Sequence, residues 1–242
     1  MGICLSVYVS FVIFYLTYDI TESPDFEKYY KYFLYYSGDI VSTDLDQGHL
    51  YFFIMYLTSL LVSTLVTDLT MNEIMNISVH FANSLIYLIG IIGMYKLLII
   101  KKFEKNITFL VIVITTFLPA SIILRITFKP ELLIFSVIGW AVIFIDKYSK
   151  FSRPKDALTL IILLSIIMTT KISTTFMVLI FLGLLIIFHY RDLISKKNTK
   201  YLLFLILIST ALFIENGHHN DKYLHQVTPV SYTHLTLPTK RI

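Results

Sequence analysis

Two carboxylates stand at the start of a short amphipathic stretch near the N-terminus. Ser23 and Pro24 form a typical helix start, because proline fits the first helical turn, and Gly38 provides a stop. Asp25 and Glu27 then lie at the N-terminal end, where the helix dipole stabilises an ionised carboxylate. Such a carboxylate can act as a general base or hold a metal ion. The alternative is that both residues only cap a solvated helix.

Other isolated ionisable residues lie beside long apolar runs. Asp46 precedes His49, whose imidazole could polarise a substrate hydroxyl, although an ordinary polar residue in a wet loop is the favoured interpretation. Lys171 lies between two apolar runs, near the hydroxyls of Thr170 and Ser173. A compact cation in that position suits a phosphate group, and we favour this slightly over a lysine that only snorkels to the membrane surface.

The last such stretch surrounds Pro130, which ends one helix or opens the next. Arg125, Lys129 and Glu131 lie around it, between two apolar runs. Charged residues at the edge of apolar helices are costly unless they face a cavity or reach water. The residues alone leave two interpretations open, snorkelling anchors or a binding site.

Composition identifies the elements that must position these residues. Of the 242 residues, 56% are hydrophobic and 15% charged, with a mean hydropathy of +0.74, which excludes a soluble globule of this size. The single cysteine, Cys4, excludes a disulfide framework and a cysteine-rich metal site. The net charge of +4 is segregated by loop, which argues against nucleic acid as a partner. Apolar segments cover 3–18, 50–66, 77–100, 107–124, 132–145, 157–170, 172–190 and 201–214.

Charge distribution predicts the membrane topology. Lysine and arginine cluster in the loops 96–105, 147–155 and 191–200, which the positive-inside rule places in the cytoplasm. The region 19–76 holds nine acidic residues against two lysines and is expected outside. A full crossing by 50–66 would put this acidic region and the first basic loop on the same side.

We therefore expect 50–66 to be an interfacial or re-entrant helix on the outer face. The prediction is an all-α polytopic membrane protein of about seven transmembrane helices, with the N-terminus in the cytoplasm. Juxtamembrane helices in the external loop 19–76 would lie along the outer membrane surface, with tyrosines at headgroup depth. Eight full spans remain the alternative.

The C-terminal stretch 230–242 is expected not to belong to the natural chain. Residues 230–239, VSYTHLTLPT, resemble a translated sequencing adapter. The natural chain would then end near Pro229 as a fragment of a longer product, with residues 1–229 as part of one transmembrane module.

The chain resembles the integral membrane glycosyltransferases of the GT-C superfamily, especially the branch with the aminoarabinose and protein O-mannosyl transferases. In that family the first span precedes an external loop with a Pro-Asp-x-x-x-Tyr-like motif, which is similar to Pro24-Asp25 through Tyr29 here. The family also has a non-spanning helix after this motif, as we expect for 50–66. The resemblance covers roughly residues 1–214 and rests on the order of short motifs.

The resemblance implies roles for individual residues. Asp25 would be the catalytic acidic residue, with Glu27 as its partner, and Glu131 a second acidic residue of the site. Lys171 would contact the lipid phosphate of the donor, as a lysine after threonine does in the family. Arg125, Lys129, Asp46 and His49 are the further substrate-binding candidates.

Two departures from the family pattern affect the donor phosphate contacts and the cofactor. A lysine common in the aminoarabinose branch is replaced by the stretch from Asp46 to Gly48, and the second acidic residue follows Pro130 instead of preceding it. Whether a divalent cation takes part is therefore left open, and no metal ligands are assigned.

The expected function is transfer of a sugar from a polyprenyl-phosphate donor to a lipid or polymer acceptor, on the external face of a bacterial inner membrane. Membrane lipids are the surrounding partners. A transporter or flippase of such lipids is the first alternative, and a polysaccharide polymerase is another. Transporters are expected to show charges or broken helices at mid-membrane. No central span position is charged, which favours the enzyme.

Overall fold

The structure is a computed structural model that describes residues 9, 13, 17–23, 26–39, 48–151, 153–170, 180, 204, 207 and 208. Within these ranges every regular element is helical and no strand occurs, which confirms the all-α class. The elements are a 3-10 turn (Ile20–Glu22) and the helices α1 (Phe26–Ser37), α2 (His49–Leu65), α3 (Met71–Ile100), α4 (Lys105–Phe117), α5 (Pro119–Ile126), α6 (Glu131–Phe151) and α7 (Pro154–Met168).

The helix ends follow local sequence signals. Thr70 and Glu73 form a capping box at the start of α3, in which each side chain accepts a hydrogen bond from the backbone of the other. Helix α1 ends at Gly38, whose φ of +85° is readily available only to glycine. Proline occupies the first position of α5 and α7, where its missing N–H costs nothing.

Helix α3 is the axis of the structure, about 45 Å long at 1.5 Å per residue. Tyr51, near the start of α2, donates a hydrogen bond to Asn83 of α3 at 2.8 Å, so α2 folds back along the first half of α3. Helix α6 runs parallel to the second half of α3. Tyr87 stacks on Phe135 at 4.9 Å near the start of this contact.

The crossing of α3 and α6 depends on glycines. A Cβ atom at Gly93 would lie 2.6 Å from the Trp140 ring, and one at Gly139 would lie 3.0 Å from the backbone of Gly93. Trp140 donates from Nε1 to the carbonyl of Ile89 at 3.0 Å. Close backbone approach between apolar helices is typical of membrane bundles.

The acidic and basic segments lie at opposite ends of α3. At the basic end, Lys101 pairs with Asp146 at 3.7 Å, which brings the first two lysine-rich loops together. At the other end, the amide of Ile20 donates to the Asn76 side chain at 2.9 Å. The external region of the sequence analysis therefore packs against the first half of α3.

One described helix, Met71–Ile100, is long and apolar enough to cross a bilayer. Helices α4 and α5 would add a second span if they form one broken segment, and α2 is a shorter apolar helix of 17 residues. Most of the predicted segments 3–18, 172–190 and 201–214 lies outside the described residues. The count of seven spans therefore stays a prediction.

Two sequence-based expectations need correction. The segment 107–124 is not one straight helix, because α4 and α5 meet at Leu118 with a bend of 56°. Pro119 cannot donate to the carbonyl four residues earlier, so the hydrogen-bond ladder breaks there. The predicted apolar face of α1 is present, but it packs on protein instead of lying on the membrane surface: Tyr29, Tyr32 and Phe33 are at most 4% exposed.

Replacing Gly139 by alanine should destabilise the fold by about 1–3 kcal/mol, because the added methyl group meets backbone that cannot move aside. The measurement is the free energy of unfolding in mixed detergent micelles. Ile138→Ala is the matched control, because Ile138 is 53% exposed and its loss should change stability by less than about 0.5 kcal/mol. Equal stability of the two variants would contradict the close crossing.

Candidate functional site

Phe128 is the centre of an aromatic cluster beside the first half of α3, near Asn83. Its side chain is fully buried in the turn between α5 and α6. The rings of Tyr29 and Phe33 from α1 lie 5.7 and 5.8 Å away, and those of Phe52 and Tyr51 from α2 lie 5.5 and 5.8 Å away. Edge-on and tilted contacts of this kind add to the free energy gained by burial alone. The cluster therefore joins α1, α2 and this turn.

Ser23 adds a polar contact to the same cluster. Its hydroxyl accepts a hydrogen bond from the backbone amide of Phe128 at 3.2 Å, and the ring of Phe26 lies 6.4 Å from that of Phe128. Ser23 and Phe26 flank Asp25 in the sequence, and Phe128 precedes Glu131 by three residues. The chain segments that carry these two candidate acids are thus held against each other.

Asn83 fixes the turn between α5 and α6 from the side of α3. Its side chain is fully buried, and its amide nitrogen donates to the carbonyls of Arg125 and Thr127 at 2.9 and 3.0 Å. Its oxygen accepts the hydroxyl of Tyr51 at 2.8 Å. One amide group therefore holds three elements in register, and sequence reasoning missed it. A polar residue inside an apolar run was the available signal.

Arg125 turns inward and does not snorkel to the surface. Its side chain is 4% exposed, and its guanidinium lies 4.5 Å from the centre of the Tyr87 ring. It donates to the carbonyls of Thr116 at 2.6 Å and Ser121 at 3.3 Å. The hydroxyl of Tyr87 donates to the carbonyl of Thr115 at 3.3 Å.

These contacts give Arg125 a structural role. The carbonyls of Thr115 and Thr116 lie at the end of α4, where Pro119 interrupts the backbone ladder. A cation near a helix C-terminus also interacts favourably with the helix dipole. Arg125 therefore satisfies the broken end of α4, and its guanidinium is engaged by backbone within the protein.

Lys129 and Glu131 lie at the rim of the aromatic cluster. Both side chains are half-buried. Glu131 is the first residue of α6, where a negative charge interacts favourably with the helix dipole. Burial raises the pKa of the Tyr51 phenol, and the charge of Glu131 raises it further. Glu131 therefore lies at the start of α6, three residues after Phe128.

His49 lies in the first turn of α2, among tyrosines, and not in a wet loop. The Tyr36 hydroxyl is 3.0 Å from Nδ1 of His49 and donates to the His49 carbonyl at 3.2 Å. The Tyr32 ring contacts the imidazole edge-on at 5.6 Å. This arrangement fixes the imidazole on the side of α1.

Gly48 connects the start of α2 to the end of α7. Its amide donates to the carbonyl of Thr170 at 3.1 Å, and a Cβ atom at this position would lie 1.2 Å from the carbonyl oxygen of Thr169. Only glycine fits this approach. The residues next to His49 and Lys171 in the sequence are therefore in contact.

The remaining candidates divide into exposed and undescribed residues. Glu27 lies in the first turn of α1 and is exposed, away from the buried contacts. Asp25, Asp46 and Lys171 lie outside the described residues. Across the ranges that the structure describes, no group of three histidine, cysteine or acidic side chains is arranged to hold a metal ion.

Comparison with protein-family models, curated proteins and solved structures finds no match to this chain.

Replacing Asn83 by leucine should cost about 2–4 kcal/mol, because it leaves the Tyr51 hydroxyl and two backbone carbonyls without their partner. Asn72→Leu, an exposed position on the same helix, is the matched control. The measurement is the midpoint of thermal unfolding in detergent. Similar midpoints for both variants would show that Asn83 does not hold the turn.

Raising the pH should destabilise the contact between α1 and His49. Burial raises the pKa of Tyr36 to about 12, against about 10 in an unfolded chain. Between these values only the unfolded state loses the proton, so the free energy of unfolding falls as the pH rises. Alkaline titration of stability should give a shallower fall for Tyr36→Phe than for the unmodified protein. Superimposable curves would contradict the burial of this phenol.

Proposed function

We propose that this protein is a membrane glycosyltransferase that takes a sugar from a polyprenyl-phosphate donor and transfers it to a lipid or polymer acceptor. The reaction would take place on the external face of a bacterial inner membrane, with the N-terminus in the cytoplasm and about seven spans. Helix α3 is the span with the clearest length and composition.

The observation that carries the proposal is the convergence of four separate chain segments beside the first half of α3, near Asn83. The hydrogen bond between Ser23 and Phe128 joins the segments that carry Asp25 and Glu131. The hydrogen bond between Gly48 and Thr170 joins the segments that carry His49 and Lys171. Sugar transfer from a phosphate donor needs an acidic residue to accept the acceptor's proton and a cation to stabilise the leaving phosphate, and these segments carry both.

The chemistry assigns a step to each candidate. Asp25 would take the proton of the acceptor hydroxyl while the oxygen of that hydroxyl bonds to C1 of the sugar. The bond from C1 to the phosphate oxygen breaks, and polyprenyl phosphate leaves with an additional negative charge. Lys171 would stabilise that charge, since a fixed cation is most effective where charge develops. Glu131 would orient the acceptor, and Glu27 and Lys129 would lie at the entrance.

The bend between α4 and α5 favours a second candidate, a transporter or flippase for the same class of lipid. The two helices meet at 56°, and discontinuous helices are typical of transporter binding sites. The backbone carbonyls at the break, however, are bound by Arg125 and Tyr87. A transport role therefore requires these contacts to open.

Asp25→Asn in reconstituted full-length protein should abolish sugar transfer while expression stays unchanged. The assay supplies a panel of undecaprenyl-phosphate sugars together with a bacterial membrane extract as the source of acceptors. It measures the release of undecaprenyl phosphate, which accompanies transfer to any acceptor. Glu22→Gln is the matched control, because Glu22 is an exposed acid of the same external region.

The outcomes separate the two candidates. Release by the unmodified protein and Glu22→Gln, but not by Asp25→Asn, supports the transferase. Full release by Asp25→Asn removes this catalytic assignment. Movement of the donor across the vesicle membrane without release would instead support the transporter.

A further inference from the structure

A groove lies between α3 and α4 at the basic end of the structure, far from the candidate site. It has a volume of about 210 Å³ and is lined by Tyr95 and Ile99 from α3 and by Lys105, Phe109 and Ile112 from α4. Lys105 is the first residue of α4, and Ile112 lies about 10 Å further along the helix. The groove therefore has a charged end beside the loop and an apolar wall that extends towards the middle of α3.

The apolar wall of the groove is exposed where a water-soluble protein would cover it. Phe109 is 64% exposed, and Ile99 and Tyr95 are each 41% exposed, while Ile112 forms the floor at 3%. Exposed apolar surface of this kind marks a contact with lipid or with another protein.

No acidic side chain among the described residues pairs with the charge at the groove. Of the neighbouring cations, Lys96 lies 4.7 Å from the centre of the Trp140 ring and Lys101 pairs with Asp146. Lys105 forms no ion pair or hydrogen bond with any residue in the part of the chain that the structure describes. An unpaired ammonium beside an apolar wall complements a ligand with an anionic head and a hydrocarbon tail.

We propose that this groove binds one anionic phospholipid from the leaflet at the basic end of α3. Its phosphate contacts the Lys105 ammonium, and one acyl chain lies along Ile99, Phe109 and Ile112. The proposal rests on α3 crossing the bilayer and is independent of sugar transfer.

The charge at one end of the groove favours a lipid over a helix of a partner protein. An anionic phospholipid combines a charged headgroup with an apolar chain, as the groove combines Lys105 with the apolar side chains of Phe109 and Ile112. Basic pockets between transmembrane helices on the cytoplasmic side are typical sites for anionic headgroups.

The test measures lipid retention by the detergent-purified full chain, using native mass spectrometry with phosphatidylglycerol or phosphatidylcholine added. The unmodified protein should retain one phosphatidylglycerol, with an affinity about fivefold higher than for phosphatidylcholine, as expected for one lysine near a headgroup. Lys105→Gln should abolish this preference. Lys102→Gln, an exposed lysine of the same loop that does not line the groove, should keep it.

A second variant tests the apolar wall. Phe109→Ala should weaken the retention of both lipids by the same factor, because it removes contact with the acyl chain and leaves the charge unchanged. An excess of inorganic phosphate should not displace phosphatidylglycerol from the unmodified protein.

Several results would overturn the proposal. These are equal retention of the two lipids by the unmodified protein, equal losses in Lys105→Gln and Lys102→Gln, or no effect of Phe109→Ala. Displacement by phosphate alone would show a simple anion site, and a lipid-free dimer would show that a second chain covers the groove. None of these results bears on the Asp25 assay, so the two proposals fail separately.

Discussion

The structure depends on satisfying backbone polar groups inside an apolar bundle. Pro119 breaks the helix that would otherwise run through residues 107–124, and the turn after Ile126 exposes more carbonyls. Unpaired carbonyls in such surroundings cost several kcal/mol each. Arg125, Tyr87 and Asn83 donate to four of these carbonyls, and all three side chains are buried. The broken helix is therefore a defined element with its own set of donors.

The packing of the aromatic cluster follows from this constraint. Because Asn83 holds the turn close to α3, the ring of Phe128 is directed into a space that α1 and α2 close with aromatic side chains. Helix α1 is short and would be marginal alone, so its stability comes from this contact. The same contact keeps the segment around Ser23 beside the start of α6, where Glu131 lies.

The helices were largely predictable from the sequence, and the directions of the polar side chains were not. Gly38 predicted the end of α1 and Pro130 the turn before α6, since these signals act within a few residues, whereas the break between α4 and α5 at Pro119 was not predicted. The inward turn of Arg125 depends on carbonyls released by a break in the predicted segment that precedes it, 107–124. The surroundings of His49 depend on α1, which is a long-range contact. Local patterns carry no information about such partners.

The hydrogen bond from Phe128 to Ser23 joins residues 105 positions apart. At a synthesis rate of 5–20 residues per second, the N-terminal external segment is made about 5–20 s before its partner turn leaves the ribosome. For more than half of that interval α2 is already complete, while the tyrosine-rich face of α1 still lacks Phe128. The order of synthesis thus makes the aromatic cluster complete only when the turn between α5 and α6 arrives, so the N-terminal half of the cluster waits for its centre.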